Sequence, residues 1–177
     1  MNTEEDYDDE ATALYRKCAG KVQGFLINMG CDRGLAEEIT DDAFLGARRR
    51  WEHVRTLDDP EGYVFKIARN ERSKRQEKHE NRAKDLHPDP SGARSGDSDD
   101  PAQDVADRAA VRQALHQLPL RQREAVTLRY VADLSEAVTA EIMGVSAGSV
   151  KRYTSAGRQK LRLLLAEFRY WREGDGQ

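Results

Sequence analysis

The sequence predicts an all-α protein made of two small helical domains joined by a flexible acidic linker. Apolar residues recur at helical spacing in both halves of the chain, and no segment alternates apolar and polar residues as a half-buried strand does. Between the halves, residues 85–104 hold three prolines, two glycines and six aspartates, a composition typical of a linker. The predicted segments are an acidic N-terminal tail (1–10), a first domain (11–84), the linker (85–104), a second domain (105–172) and a C-terminal tail (173–177).

The first domain is predicted to contain three helices. Apolar side chains at every third or fourth position make residues 11–29 one amphipathic helix. Asp32 can cap a second helix, in which apolar residues recur every four residues to about His53. A loop over residues 54–59 leads to Pro60, and the third helix starts there because proline suits the first position of a helix.

The third helix changes character after Ala68. Residues 69–84 carry seven bases and three acids, and Ala83 is their only apolar residue. Since apolar packing cannot hold a helix there, this segment either frays into solvent or lies against an anionic partner. Residues 1–10 show the opposite bias, with six acids and no base, so the net charge of −3 conceals blocks of opposite sign.

The second domain is predicted to contain four helices. They are expected over residues 105–118, 119–131, 135–144 and 146–168. Ser135 and Ser146 are suitable N-caps for the last two helices. The connection Gly144-Val145-Ser146, with the small residue Ala140 before it and a basic helix after it, is typical of a helix-turn-helix.

The last helix has an outward face that fits DNA. If its apolar residues turn inward, the face presents Gly148, Lys151, Arg152, Ser155, Ala156, Arg158 and Gln159. Arginine and lysine contact phosphates and guanine edges, and serine or glutamine can read other bases. The alternative is a basic amphipathic helix in an ordinary helical bundle.

Composition argues against several classes of protein. No apolar run approaches the roughly 18 residues of a membrane span, and the acidic N-terminus is unlike the basic start of a signal peptide. Cys18 and Cys31 are too few for a disulfide scaffold, and no Cys/His set has zinc-ligand spacing. The four histidines are scattered and no phosphate-binding glycine loop is present. We therefore expect a cytoplasmic protein that is not an enzyme and needs no metal or cofactor.

Both halves of the chain resemble extracytoplasmic-function (ECF) sigma factors of bacteria. The helix-turn-helix residues 134–135, 140–146 and 148–151, together with Leu118-Pro119-Leu120-Arg121-Gln122-Arg123-Glu124-Ala125, resemble region 4 of that family. In the first domain, residues 36–45 are similar to its region 2.2, and residues 60–70 to its Pro-x-x-Trp-Leu-x-x-Ile-Ala-x-Asn stretch. Two matched regions in the right order make this resemblance specific.

The resemblance implies a site for each step of transcription initiation. The region 2.2 helix of the family docks on the β′ coiled coil of core RNA polymerase, which corresponds to Glu38, Asp41 and Asp42 here. Recognition of the −10 element and of a melted base corresponds to the loop 54–59 with Arg69, Asn70 and Arg72. Reading of the −35 element corresponds to Lys151, Arg152, Ser155 and Arg158 of the last helix, the candidate DNA-binding residues. The resemblance also implies control by an anti-sigma factor.

Two other functions compete with the sigma-factor interpretation. One is a helix-turn-helix transcription regulator that never binds core polymerase. The other is an RNA-binding or adaptor protein that uses residues 69–84. Departures from the family pattern are also present: Thr139 stands where a core aliphatic residue is usual, and Gly157 lowers helix propensity by about 1 kcal/mol relative to Ala. We therefore expect the second domain to be only marginally stable by itself.

Overall fold

The computed structural model describes the backbone of residues 4–85 and 102–174, and within them the side chains of residues 6–79 and 107–166. Every regular element in these ranges is helical, which confirms the predicted all-α fold. The helices group into two compact units, one in each half of the chain. Most of the predicted linker, residues 86–101, lies outside the described residues.

The described residues of the N-terminal unit form four helices. They are α1 (Glu4–Asn28), α2 (Arg33–Arg48), α3 (Trp51–Val54) and α4 (Pro60–Asp85). The helix α4 continues through the basic segment, so residues 69–85 do not fray. At its start, the Asp59 side chain accepts a hydrogen bond from the Gly62 N–H at 2.9 Å, and Asp32 caps α2 in the same way through the Leu35 N–H at 2.8 Å.

Two helix boundaries in this unit differ from the sequence prediction. The helix α1 begins at Glu4, so residues 4–10 of the predicted tail are helical. In these turns Asp8 pairs with Arg48 of α2, and Glu10 pairs with Arg55, the residue that follows α3. The predicted second helix is interrupted before Trp51, because Arg50 leaves the helical region with φ −120° and ψ 27°. The interruption places the Trp51 side chain in the core, where it is only 7% exposed.

The core of the N-terminal unit lies between the apolar faces of its helices. Phe25 of α1 meets Phe65 of α4 edge to face, with ring centroids 5.9 Å apart. Ile39 of α2 and Val64 of α4 are fully buried. Burying side chains of this size contributes roughly 1.5–3 kcal/mol each, so these contacts set the packing of α1, α2 and α4.

The C-terminal unit has the four predicted helices. They are α5 (Ala102–His116), α6 (Leu120–Val126), α7 (Glu136–Met143) and α8 (Ala147–Gly174). Residues Thr127–Val131 extend α6 as a π-helical turn, which periodicity did not predict. Leu115, Leu118 and Val126 form a buried cluster with Leu161 packed against it.

Gly157 explains how closely α8 approaches α6. A Cβ atom at this position would lie 2.7 Å from Val126 Cγ2 and 3.4 Å from the Gln122 carbonyl oxygen. A carbon–carbon distance under 3.0 Å forces one of the two groups to move, so glycine is the residue that this helix crossing accepts. The glycine that lowers helix propensity is therefore required by packing.

Candidate interaction surfaces

The helix-turn-helix is formed by α7, α8 and a tight turn between them. Gly144 adopts φ 65° and ψ 40°, a left-handed conformation that glycine accepts without strain. Ser135 caps α7 through the Val138 N–H at 3.2 Å, as predicted. Ser146 caps α8 through the Ser149 N–H, also at 3.2 Å. The turn therefore fixes the N-terminal end of α8, where backbone N–H groups can approach a phosphate.

One face of α8 is exposed and basic, and the opposite face is buried. The exposed residues include the four candidates for DNA binding, Lys151, Arg152, Ser155 and Arg158. Val150 and Thr154 are buried, and the Thr154 hydroxyl donates to the Val150 carbonyl at 2.6 Å. The structure thus brings the four candidate side chains together on a solvent-facing surface.

Arg158 is held by an aromatic residue that sequence reasoning did not select. Its guanidinium carbon lies 5.4 Å from the centroid of the Tyr130 ring, and its Nη1 lies 3.3 Å from the Tyr130 hydroxyl. Tyr130 belongs to the π-helical turn and is 53% exposed. A stacked guanidinium has fewer conformations to lose when it binds an anion. The available signal was an aromatic residue next to Arg129 at the end of a predicted helix.

The charged residues at the start of α6 hold the C-terminal unit together. Arg123 donates to the carbonyl of His116 at 2.7 Å and so satisfies the end of α5. Arg121 pairs with the buried Glu124 at 3.3 Å and donates to the Met143 carbonyl, at the end of α7, at 3.4 Å. These arginines therefore connect α6 to the C-terminal ends of two neighbouring helices.

The three candidate residues for polymerase docking share one exposed face of α2. Glu38 and Asp42 both bind Arg75 of α4, with 2.8 Å between Arg75 Nη1 and Glu38 Oε1. The hydrogen bond to Glu38 is the main reason why the pKa of Arg75 is raised, and Asp42 adds to the effect. Asp41 accepts a weak hydrogen bond from the Tyr15 hydroxyl at 3.4 Å. The acidic face is thus partly neutralised from within the unit.

An apolar groove adjoins this acidic face. It has a volume of about 550 Å³ and is lined by residues of α1, α2 and α3. Tyr15 and Phe44 meet edge to face in it at 4.8 Å, and the side chains of Tyr15 and Leu45 are 39% and 51% exposed. Three charged residues, Asp8, Asp41 and Arg48, also line it. Sequence analysis missed the groove because Phe44 and Leu45 were read only as part of a motif, although their place beside acidic residues was visible.

The three candidates for −10 recognition do not share one face of α4. Asn70 is exposed, whereas Arg69 and Arg72 are half-buried. Asn70 and Arg72 are two residues apart, which places them roughly 200° apart around a helix. Arg72 also hydrogen-bonds the Cys31 thiol. Asn70 is therefore the most accessible of the three to a ligand.

The two cysteines are free and buried. Burial is the main cause that raises the pKa of Cys18 to about 12, and it raises the pKa of Cys31 as well. Both groups are therefore protonated thiols near neutral pH, a state of low nucleophilicity. In the described part of the chain, no three acidic, histidine or cysteine side chains converge as a metal site does. Nor does any helix there combine the length and apolar character needed to cross a bilayer.

Two family models match the chain. The model for Sigma-70 region 2 matches residues 14–81, and the model for Sigma-70, region 4 matches residues 108–161. Two bacterial proteins are similar over most of their length. The ECF RNA polymerase sigma factor SigM of Bacillus subtilis is 27% identical over 154 residues, which make up 85% of this chain and 92% of SigM. The ECF RNA polymerase sigma factor RpoE of Cereibacter sphaeroides is 28% identical over 173 residues, 92% of this chain and 91% of RpoE.

The fold is also similar to that of solved structures. RpoE of Bartonella quintana, solved in complex with the anti-sigma factor NepR, matches with a TM-score of 0.69 and 22% identity over 92% of this chain and 98% of that one. CnrH, solved in complex with the cytosolic domain of CnrY, matches with a TM-score of 0.63 and 18% identity over 90% of each chain. At these identities the likeness concerns the fold.

Proposed function

The chain belongs to the sigma-70 family as an ECF sigma factor for transcription initiation, and from that premise we propose which surface performs each step. An alternative sigma factor binds core RNA polymerase and promoter DNA. We assign polymerase docking and −10 recognition to the domain bounded from sequence at 11–84, and −35 recognition to the domain at 105–172. The observation that carries this division is the pair of unlike surfaces, acidic and apolar on α2 but basic on α8.

The −35 element is read by the exposed face of α8. Arg152 is oriented by a hydrogen bond to Ser149 at 3.1 Å, and Arg158 by Tyr130. Lys151 adds a third cation and Ser155 a hydroxyl on the same surface. Oriented guanidinium groups suit guanine edges and phosphates, because they donate two parallel hydrogen bonds.

Core polymerase docks on the acidic face of α2 and on the adjoining groove. Glu38, Asp41 and Asp42 supply negative charge that steers a basic partner. The exposed Leu45 and the Tyr15–Phe44 pair supply apolar area beside it. An apolar centre with a charged rim is the usual anatomy of a specific protein interface.

The −10 element is recognised by α4 and the loop 54–59. Asn70 offers an amide that can hydrogen-bond an unstacked base, and Arg69 and Arg72 lie in the same segment of α4 as cations for the DNA backbone.

We propose that the protein acts in the cytoplasm, and we assign no catalysis to the chain itself. Because RpoE of Bartonella quintana was solved in complex with the anti-sigma factor NepR, we propose an anti-sigma factor for this chain too.

The decisive experiment is reconstitution with bacterial core RNA polymerase. We expect the purified full chain to bind core in a gel shift and to produce discrete run-off transcripts on sheared genomic DNA. Specific binding to duplex DNA without binding to core would instead support the regulator that never binds polymerase. RNA binding that survives deletion of residues 105–177 would support the adaptor.

Paired variants separate the two surfaces. Lys151→Ala with Arg152→Ala should abolish −35-dependent DNA binding and leave core binding intact, whereas Lys160→Ala, an exposed cation elsewhere on α8, serves as the control. Asp41→Lys with Asp42→Lys should weaken core binding while the circular dichroism spectrum stays unchanged. Unaltered core affinity in the second pair contradicts the docking assignment, and loss of both activities in the first pair contradicts the −35 assignment.

A further inference from the structure

The first turns of α1 bind arginines on either side of α3. Asp8 Oδ1 accepts hydrogen bonds from Arg48, 2.9 Å from its Nε and 2.5 Å from its Nη2. Glu10 accepts from Arg55 Nη2 at 2.7 Å through one oxygen and from the Trp51 indole N–H at 3.0 Å through the other. These contacts connect residues at least 40 positions apart in the chain.

Four arginines lie close together in the chain around α3, and we call them the α3 arginine cluster. It consists of Arg48, Arg49, Arg50 and Arg55. Arg49 and Arg50 are exposed, and the Arg55 guanidinium lies over the Tyr7 ring, 5.0 Å from its centroid. Four arginines within eight residues give this segment a high density of positive charge, and each guanidinium matches carboxylate or phosphate geometry with two donors.

The carboxylates that occupy this cluster are exchangeable. The side chains of Arg48 and Asp8 are 54% and 52% exposed, and those of Arg55 and Glu10 are 28% and 41% exposed. Ion pairs this accessible to water contribute little net stability, so a competing anion can replace the carboxylate at small cost. A phosphodiester oxygen makes the same charge-assisted hydrogen bonds to a guanidinium.

We propose that the α3 arginine cluster binds backbone phosphates of single-stranded promoter DNA, and that Asp8 and Glu10 occupy the cluster until the DNA arrives. The inference rests on the proposed function, because Arg55 is part of the loop 54–59 assigned to −10 recognition. The strand that this loop holds passes the cluster, and its phosphates displace the two carboxylates. The acidic start of α1 therefore weakens DNA binding by the free protein and disfavours strands that cannot reach the whole cluster.

The test compares neutral isosteres on neighbouring positions of α1. Asp8→Asn and Glu10→Gln remove the charges that face the cluster, and Asp9→Asn removes an equal charge from an exposed side chain between them. Affinity is measured by fluorescence anisotropy of the full chain with a short labelled single-stranded oligonucleotide of mixed sequence. We expect Asp8→Asn and Glu10→Gln each to bind about two- to fivefold more tightly than the natural sequence, which corresponds to the range measured for exposed ion pairs. Asp9→Asn should change the affinity by less than twofold.

A second measurement tests the arginines directly. In the variant with Arg48→Ala and Arg55→Ala, the slope of log K against log salt should become shallower by about 1.4, because each phosphate contact with a single strand contributes about 0.7. An unchanged slope overturns the proposal. So does weaker binding by Glu10→Gln, since that result means that Glu10 supports the loop rather than competing with DNA.

Core binding distinguishes this inference from the proposed function. Asp9→Asn and Glu10→Gln leave the α2 acids and every residue that lines the groove in place, so these two variants should form holoenzyme as the natural sequence does. If none of the proteins, the natural one included, binds core or supports transcription, the proposed function fails. If holoenzyme forms and transcribes while Asp8→Asn and Asp9→Asn have equal affinity for the oligonucleotide, only the competition fails.

Discussion

The helices within each of the two units of this sigma factor are packed by different kinds of interaction. Ion pairs connect the helices of the N-terminal unit at several points on its surface, in addition to an apolar core. In the C-terminal unit, α8 approaches α6 closely at Gly157, and Arg121 and Arg123 donate hydrogen bonds to the ends of neighbouring helices. This difference in packing agrees with the proposed functions, which are polymerase docking and −10 recognition for the N-terminal unit and −35 recognition for the C-terminal unit.

In the N-terminal unit, charges bridge helices that are distant in sequence. Glu61 at the start of α4 binds Lys17 and Lys21 of α1, each at 3.1 Å. Arg75 binds two acids of α2, and Asp8 binds Arg48. Several of these groups lie on surfaces assigned to polymerase or DNA, so partners can exchange for them. The unit can lose these surface ion pairs to a binding partner and stay folded, because its apolar core does not depend on them.

In the C-terminal unit, steric contacts fix the position of the reading helix. Gly157 sets the distance between α6 and α8, and side chains on α8 read bases only if the helix is placed to within a fraction of an ångström. The unit also tolerates imperfections: the buried hydroxyls of Thr127 and Thr139 have no hydrogen-bond partner. We expect each buried hydroxyl without a partner to lower the stability of the unit, and the marginal stability expected from the sequence stays a prediction.

The largest effect is expected from Gly157→Ala. Alanine favours a helix by about 1 kcal/mol over glycine, but the added methyl group meets Val126, and overpacking of this kind costs about 1–3 kcal/mol. We expect a net loss of up to about 2 kcal/mol in the free energy of unfolding, confined to the C-terminal unit. Hydrogen exchange of the full chain, resolved by peptide, measures each unit separately. Gly148→Ala is the control, because its Cβ would approach nothing closer than Ser146 Oγ at 3.9 Å; equal stability changes in the two variants contradict the packing argument.

The next effect, in the N-terminal unit, is expected from Glu61→Gln. The Glu61 side chain is only 10% exposed and lies in the first turn of α4, where a carboxylate is favoured by the helix dipole. Removing its charge should lower the free energy of unfolding by about 1.5 kcal/mol. This value is kept modest because water screens the two exposed lysines that pair with Glu61. Thermal unfolding and hydrogen exchange measure the change. Glu71→Gln is the matched control, since Glu71 pairs only locally with Lys74 and should change stability by less than about 0.5 kcal/mol. If Glu71→Gln lowers stability as much as Glu61→Gln does, the ion pairs of Glu61 with α1 are not the cause of the effect.

Two threonine substitutions, one in each unit, should change the free energy of unfolding in opposite directions. Thr139→Val removes a buried hydroxyl without a partner and should stabilise the C-terminal unit by about 1 kcal/mol. Thr40→Val removes a hydroxyl that donates to the Ala36 carbonyl at 2.7 Å and should destabilise the N-terminal unit by up to about 1 kcal/mol. Both side chains are fully buried, so the two changes are matched in shape and environment. Denaturant unfolding of both variants checks the signs, and two changes of the same sign contradict this comparison.

The smallest effect is expected from Tyr130, and it concerns DNA rather than stability. Tyr130→Ala removes the ring that orients Arg158 and should weaken duplex binding by about 0.5–1 kcal/mol. Tyr130→Phe keeps the ring and should weaken duplex binding less than Tyr130→Ala does. The measurement is a double-mutant cycle with Arg158→Ala on −35 DNA identified by run-off transcription. Additive losses show that the two side chains act independently and remove Tyr130 from the reading surface.

Much of the fold was predictable from the sequence, since most of its signals are local. Caps at Asp32, Ser135 and Ser146 and the turn at Gly144 depend on a few neighbouring residues, and all four are present as predicted. Helical periodicity likewise gave the order of the helices and the outward face of α8. The break before Trp51 and the helical start of α1 were missed, because both depend on contacts between helices rather than on spacing.

The sequence by itself determined the two helical units, the helix-turn-helix and the residue types on each surface. Tertiary structure alone decided which charges are already paired, where Asn70 and Arg72 point, that Phe44 and Leu45 border an open groove, and why residue 157 is glycine. The reason is physical: a helix and its caps are set within one or two turns of chain. An ion pair such as Asp8–Arg48 depends instead on where two helices cross, and no local pattern in the sequence records that crossing.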